Sequence, residues 1–265
     1  MIGTELLDDP HADPRVVRRE LKDIARLNAR FGGTRAVVEA LEPLFQRSCG
    51  VQRATCDVEW TLLDVGTGLG DIPRAAALAA RRHGITLRLV GLDLNRTAAR
   101  SARHAAHDVP LVPVLGDGGA PPFRSRSVDI VIASQVLHHL APDVAVRWIA
   151  TFAALARRAV VVADLRRSRL AMTGVWLASF PLGFGAVTRH DAVLSLRRGY
   201  TREEMNALLT AAGVPAVARY RPGFRVVAAW ETTAISHQLS AISGLLIADG
   251  CLYAHRRSRL HPRSR

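Results

Sequence analysis

Lysine is nearly absent from this chain of 265 residues. Lys22 is the only one, and arginine supplies the other 35 basic positions. With Ala, Val and Leu so abundant, the net charge of +13 reads as a coding bias expressed in solvated arginine faces. A nucleic-acid partner is therefore not expected, although so basic a surface leaves room for contact with an anionic membrane. Cysteine is scarce as well. Cys49, Cys56 and Cys251 form no CxxC pair and no metal-ligand spacing. That excludes a disulfide framework and a structural zinc cluster, predicts no metal, and points to a reducing, cytoplasmic compartment. No run of about 20 uninterrupted apolar residues marks a membrane span. The opening residues, MIGTELLDDPHADP, carry acids and lack the apolar core of a secretory signal. Hydrophobic residues make up 49% of the chain, enough for a folded core rather than disorder.

What is present centres on TLLDVGTGLG, residues 61 to 70. An apolar run leads into Asp64, and glycines follow at every second position, Gly66, Gly68 and Gly70. The pattern predicts a buried strand, a tight turn and a helix opening near Pro73, whose missing N–H suits a first turn. Glycine permits positive φ and close approach of a ligand to the backbone. Such turns lie at the carboxyl ends of parallel strands, where α/β sheets bind ligands. The dinucleotide pattern GxGxxG is not met, because Asp71 stands where its third glycine would be.

Downstream, strands and helices alternate. Strands are expected at about 61–66, 86–93, 111–115, 128–134 and 159–164, with helices at about 72–83, 96–107 and 142–157. The strands are almost continuously apolar, as in a parallel sheet covered on both faces. Thr201 and Glu204 form a capping box for a further helix. VARYR and FRVVAAW, joined by Pro222-Gly223, predict an antiparallel hairpin at the sheet edge. Upstream, residues 15 to 47 show helical periodicity broken at Gly32-Gly33. The expected organisation is an N-terminal helical cap over 1–58, a core domain over 59–231 with an insertion at about 168–200, and a basic extension over 232–265.

Polar residues recur at the strand ends. Asp93 ends the second strand, where a carboxylate can accept both ribose hydroxyls; Asp117 follows the third; Ser134 leads into Gln135-Val136-Leu137-His138-His139-Leu140. Together with Asp64 and its glycines, these resemble the motifs of class I S-adenosylmethionine (SAM) methyltransferases over about residues 20 to 230. The resemblance implies a Rossmann-like, seven-stranded α/β sheet with a parallel core and an antiparallel edge hairpin. It implies SAM as cofactor, held by Asp64, Gly66, Thr67, Gly68, Gly70, Asp93, Leu94, Asp117, Gly118 and Ser134. Within the branch that includes quinone-biosynthesis methyltransferases, the chain looks most like bacterial enzymes associated with type III polyketide synthases and phenolic lipids. The segments that suggest this are Glu5-Leu6-Leu7-Asp8, Gly70-Asp71-Ile72-Pro73, Asp164 to Ser168, Arg189-His190-Asp191 and Leu196 to Thr201.

The implied reaction is methyl transfer to a hydrophobic small molecule, an oxygen of a phenol or quinol. A carbon acceptor in quinone biosynthesis is the alternative, followed by RNA methylation or a non-enzymatic SAM-fold protein. A phenol ionises near pH 10, so a base or nearby cation is expected. His190, between Arg189 and Asp191, is the first candidate base and His138 the second. Arg166, Arg189, Trp176 and Tyr200 are candidates for the acceptor side. Leu170 to Val187 holds no charge in 18 residues, which suits a buried lid over an apolar pocket or an interfacial patch for peripheral membrane contact.

Overall fold

The computed structural model describes residues 3–9, 11–48, 58–105 and 109–232. All three cysteines and the extension expected beyond residue 232 lie outside these residues. Seven strands form one sheet: β1 (Val58–Val65), β2 (Ile85–Asp93), β3 (Leu111–Leu115), β4 (Val128–Ser134), β5 (Ala156–Leu165), β6 (Arg219–Arg221) and β7 (Arg225–Glu231). Their order is β3-β2-β1-β4-β5-β7-β6. The first five run parallel, and β7 runs antiparallel to both β5 and β6. This is the expected seven-stranded Rossmann-like sheet, edge hairpin included.

Among the described residues, eight α-helices surround it: α1 (Pro14–Arg30), α2 (Gly33–Ser48), α3 (Asp71–Arg81), α4 (Arg96–His104), α5 (Pro142–Leu155), α6 (Arg169–Ser179), α7 (Ala186–Arg198) and α8 (Arg202–Ala211). Alternation along the strands feeds two apolar layers. Leu62, Ile130, Ile132 and Val161 pack with Val37, Leu41 and Phe45 of α2 and the alanines of α3. Leu63, Val131, Val160 and Val162 pack on the other face with Ile149, Phe152, Met205 and Leu209 of α5 and α8. Each fully buried side chain of this size contributes about 1.5–3 kcal/mol, so both layers are needed to hold the sheet. Of the two N-terminal helices, α2 is thus part of the sheet's own core, while α1 reaches over the carboxyl edge.

Side-chain caps set the start of two helices, and the first is the one expected from the sequence. Thr201 and Glu204 make the reciprocal capping bonds of α8. Asn95 caps α4 by accepting from the Thr97 and Ala98 amides, so the chain turns into a helix two residues after Asp93. The strand register places Asp64 beside Gly91 and Ile132, and Ser134 beside Ala163. The loops after β1, β2, β4 and β5 therefore open on one edge of the sheet.

Candidate active site

Those loops border a cavity of about 790 Å³, roofed by α1, the Leu6–Asp8 turn and α7. At one end is the glycine turn. Gly66, Gly68 and Gly70 all have positive φ, at 72°, 54° and 71°. A Cβ on Gly66 would lie 2.4 Å from Val136 Cγ2, so the turn requires glycine both for conformation and for space. The Gly66 and Thr67 amides donate to Leu92 O, while Gly68 N–H donates to Asp93 Oδ2 at 3.0 Å. Asp93 Oδ1 accepts from Asn95 N–H at 2.8 Å. Behind the turn, buried Arg74 donates to the carbonyls of Leu69, Gly70, Ala102 and Val109, so its charge is spent on bracing the loop.

Three carboxylates face this end. Burial raises Asp64 well above the ordinary range, helped by the charges of Asp71 and Asp93. Asp71 and Asp93 are also raised by burial. A cationic ligand would offset that penalty, whereas a pyrophosphate would worsen it. The arrangement fits SAM, with its ammonium and sulfonium, and argues against NAD. Asp93 can hold a ribose, exposed Leu94 can cover a purine face, and Asp64 and Asp71 face the region suited to an ammonium. Asn28 donates to Asp71 Oδ2 and accepts from Gln135 Nε2, linking α1 across the cavity to the end of β4. Gln135 has φ of 59°, an uncommon conformation for a side-chain-bearing residue and a form of strain found at functional loops.

The other end is built on Leu137–His139. Asp164, fully buried on β5, accepts from His138 Nδ1 at 2.7 Å and from the His138 and Leu165 amides. Burial alone would raise the Asp164 carboxyl, but the charge and hydrogen bond of His138 more than offset it and hold it below the ordinary range. An ionised carboxylate only accepts, so His138 donates from Nδ1, and in the neutral form of the ring the Nε2 lone pair is free. His138 Nε2 is buried without a hydrogen-bond partner, 3.8 Å from Glu5 Oε1. His139 Nδ1 is paired with Asp8 Oδ1 at 2.7 Å. Burial works against the charged His139 ring, and the Asp8 bond and the Glu5 charge outweigh it to raise its pKa. Arg225, at the start of β7, is buried in the cavity wall with Nε and Nη1 unpartnered. Burial lowers it to about 10, against the pull of Asp164.

Among the residues expected from the sequence, Asp64, Gly66, Thr67, Gly68, Asp93, Leu94, Gly118, Ser134 and His138 all border the cavity. Gly70 caps α3 behind it. Asp117 does not reach it, because its carboxylate accepts from Gly119 N–H in its own turn; Trp148 fills that wall instead, close over Gly118. His190 is bonded to Asp191 as expected, yet its ring is 68% exposed and lies outside the cavity lining. None of the four acceptor-side candidates borders the cavity. Arg166 stacks on Tyr220, and Arg189 stacks on Phe180 and bonds Ser179. Tyr200 donates to Leu137 O, bracing the histidine turn from behind. Trp176 is 47% exposed because α6 turns Ala171 and Val175 inward and Trp176, Leu177 and Phe180 outward. Sequence reasoning missed Glu5, Asp8, Asp164 and Arg225 as a group. Their positions are far apart in the chain, and no local spacing links them.

Residues 63–157 match the family model described as a methyltransferase domain. No curated protein sequence matches the chain. Similar solved structures include magnesium protoporphyrin IX methyltransferase from Synechocystis PCC 6803 with bound SAH. It is 16% identical, over 75% of this chain and 83% of that one, with a TM-score of 0.49. A SAM-dependent methyltransferase from Aquifex aeolicus is 14% identical, over 72% of this chain and 92% of that one, with a TM-score of 0.49. A third, the CurJ carbon methyltransferase, is 14% identical, over 68% and 50% of the two chains, with a TM-score of 0.48.

Proposed function

We infer the acceptor from the premise that the chain carries a SAM-dependent methyltransferase domain with SAM as its cofactor. When bound, SAM supplies a methyl group already activated as an electrophile on sulfur. The protein has three tasks left: align the acceptor, exclude water and remove a proton. We propose an acceptor that is a hydrophobic phenol or quinol, methylated on oxygen, of the polyketide or phenolic-lipid kind that the sequence resemblance suggests. The observation that carries this reading is the free Nε2 of His138, backed by ionised Asp164 and facing a largely apolar cavity. His138 Nε2 takes the hydroxyl proton, and the developing oxyanion is stabilised by the unpartnered N–H groups of Arg225. Ile24, Leu27, Phe31, Leu165 and Val175 line the space left for the apolar part of the acceptor.

The outward face of α6 supports a second element of the reading. Trp176 and Phe180, 47% and 51% exposed, stand with Leu170 and Leu177 on a helix whose inner side walls the cavity. No described helix is long and apolar enough to cross a membrane. A face of this kind suits peripheral contact with a lipid surface that supplies the acceptor.

The test is turnover with SAM on a panel of long-chain phenols and quinols, with the methylated position read by mass spectrometry and NMR. His138→Asn should lower kcat by about 10²–10⁴-fold with SAM affinity unchanged, the usual range for a general base. Methylation on carbon, or an unchanged kcat in the variant, would overturn the oxygen-acceptor mechanism.

A further inference from the structure

Beyond the proton-accepting role proposed for His138, the same corner has the form of a metal site. One oxygen of Glu5 and one ring nitrogen each of His138 and His139 all lie within 4.8 Å of one another. Glu5 Oε1 is 3.8 Å from His138 Nε2, and Glu5 Oε2 is 3.7 Å from His139 Nε2. Four-coordinate zinc with bonds near 2.1 Å would separate its ligands by about 3.4 Å, so the three ligand atoms, all within 4.8 Å of one another, would close in by up to about an ångström or slightly more on binding. Both imidazoles present Nε2 for the same reason: their Nδ1 atoms are held at 2.7 Å by Asp164 and Asp8. A carboxylate behind each ligating histidine is the outer arrangement that fixes tautomer and orientation in metal sites. The independent sign of a missing ligand is His138 Nε2 itself, on a side chain 2% exposed, with no hydrogen-bond partner.

We propose that Glu5, His138 and His139 bind one divalent first-row transition ion of the zinc, cobalt or iron(II) class, and that this ion competes with proton acceptance by His138. Two imidazoles and one carboxylate suit such ions, and water can fill the remaining positions. Glu5 keeps its other partners, Ser195 Oγ on Oε2 and Arg198 Nη1 on Oε1, through its remaining lone pairs. Binding displaces to solvent any proton on the Nε2 atoms of His138 and His139, and the Nδ1 hydrogens stay on the rings, donated to Asp164 and Asp8. The ion would tie the Leu6–Asp8 turn to the end of β4 and hold the histidine pair in a resting state. This last consequence rests on His138 as the base; the binding itself does not.

The experiment uses the full chain stripped with chelator. Zn²⁺ is titrated by calorimetry and Co²⁺ by its visible absorption, with SAM titration as the control for folding. One equivalent should bind. Glu5→Gln and His139→Asn should weaken it by 100-fold or more, and Asp8→Asn by about 10–100-fold, as for other outer carboxylates. SAM affinity should not change. Absence of stoichiometric binding to protein that still takes up SAM would overturn the proposal, as would wild-type affinity in both Glu5→Gln and His139→Asn. Zinc occupancy should also lower methyl transfer in proportion, and full activity at full occupancy would overturn the competition. Stoichiometric binding in a protein that methylates no phenol would sustain the site and refute the reaction assigned above.

Discussion

Glu20 carries a pH dependence that falls in the neutral range. It is 3% exposed on α1 and accepts from Thr188 Oγ1 of α7 at 2.6 Å. The same hydroxyl lies 3.1 Å from Asp23 Oδ2. One hydroxyl has one hydrogen, so it cannot satisfy two buried carboxylates at once. Burial raises Glu20 from 4.5 to about 7, with the charges of Asp191, Asp23 and Glu5 adding to it. Its folded-state value lies above its unfolded one. The associated stability is therefore complete below pH 4.5 and lost as pH rises through 7. The difference amounts to about 3 kcal/mol at 1.36 kcal/mol per unit. Asp8 and Asp164, both lowered, act in the opposite sense, losing their contribution in acid, so the wild-type profile alone is not diagnostic. Glu20→Gln isolates the effect. The variant should exceed wild type by up to about 3 kcal/mol at pH 8, with the gap closing as pH falls through 7 toward 4.5. For a domain of this size each kcal/mol moves Tm by about 2–4 °C. Thermal unfolding of both proteins at pH 5, 6, 7 and 8 and fixed ionic strength is the assay. A gap that does not vary with pH would show that Glu20 is ionised throughout and would refute the reasoning. The cavity shares in the outcome, because the Glu20–Thr188 bond ties together two of its walls.

Other perturbations address the cofactor end. Asp93→Ala removes the acceptor proposed for two ribose hydroxyls, each worth about 1.5–3 kcal/mol as a charge-assisted bond, so SAM affinity by calorimetry should fall 100-fold or more; a loss under about threefold would remove Asp93 from the proposed ribose site. Because Asp64, Asp71 and Asp93 are all raised by burial, SAM affinity should weaken as pH falls toward their range, with proton release on binding that varies between buffers of different ionisation enthalpy. Gly66→Ala meets both positive φ and Val136, so it should destabilise by about 1–3 kcal/mol. Gly174→Ala, on α6 with nothing within 4 Å of the added Cβ, should be neutral or stabilise by up to about 1 kcal/mol, and equal Tm values for the two would contradict this. Trp176→Glu should reduce co-sedimentation with anionic vesicles and raise KM for lipid-like acceptors without altering SAM affinity; unchanged values of both would exclude the α6 face from acceptor uptake.

What could be read in the sequence is what local chemistry writes into consecutive residues. The glycines after Asp64 must be glycine because the backbone has positive φ there, and Asp93 must end its strand to reach the turn beside it. Both show as short motifs, and the alternation of strand and helix around them carries the parallel core of the sheet. The Leu170 to Val187 stretch was ambiguous for a definite reason. With no charge on either side, it gives no clue to which face turns inward, and only packing against α7 decides that Val175 meets the cavity and Trp176 the solvent. His190 attracted notice through its acidic neighbour, and that pairing exists. A carboxylate beside a histidine orients the ring wherever the pair lies, and here the helix carries it away from the cavity. The Asp164–His138 and Asp8–His139 pairs perform the same orientation across 26 and 131 residues of chain, so no spacing announces them. They are brought together by the parallel pairing of β4 with β5 and by the N-terminal turn crossing the carboxyl edge. Arg225 follows the same logic: it is one of 35 arginines, and its burial follows from its antiparallel register opposite Leu165, which no local spacing marks. The cofactor seat is thus local chemistry, and the acceptor end is tertiary chemistry. In the proposed reading, acceptor specificity rests on side chains from separate elements, which can change by single substitutions while the glycine turn and Asp93 stay as they are.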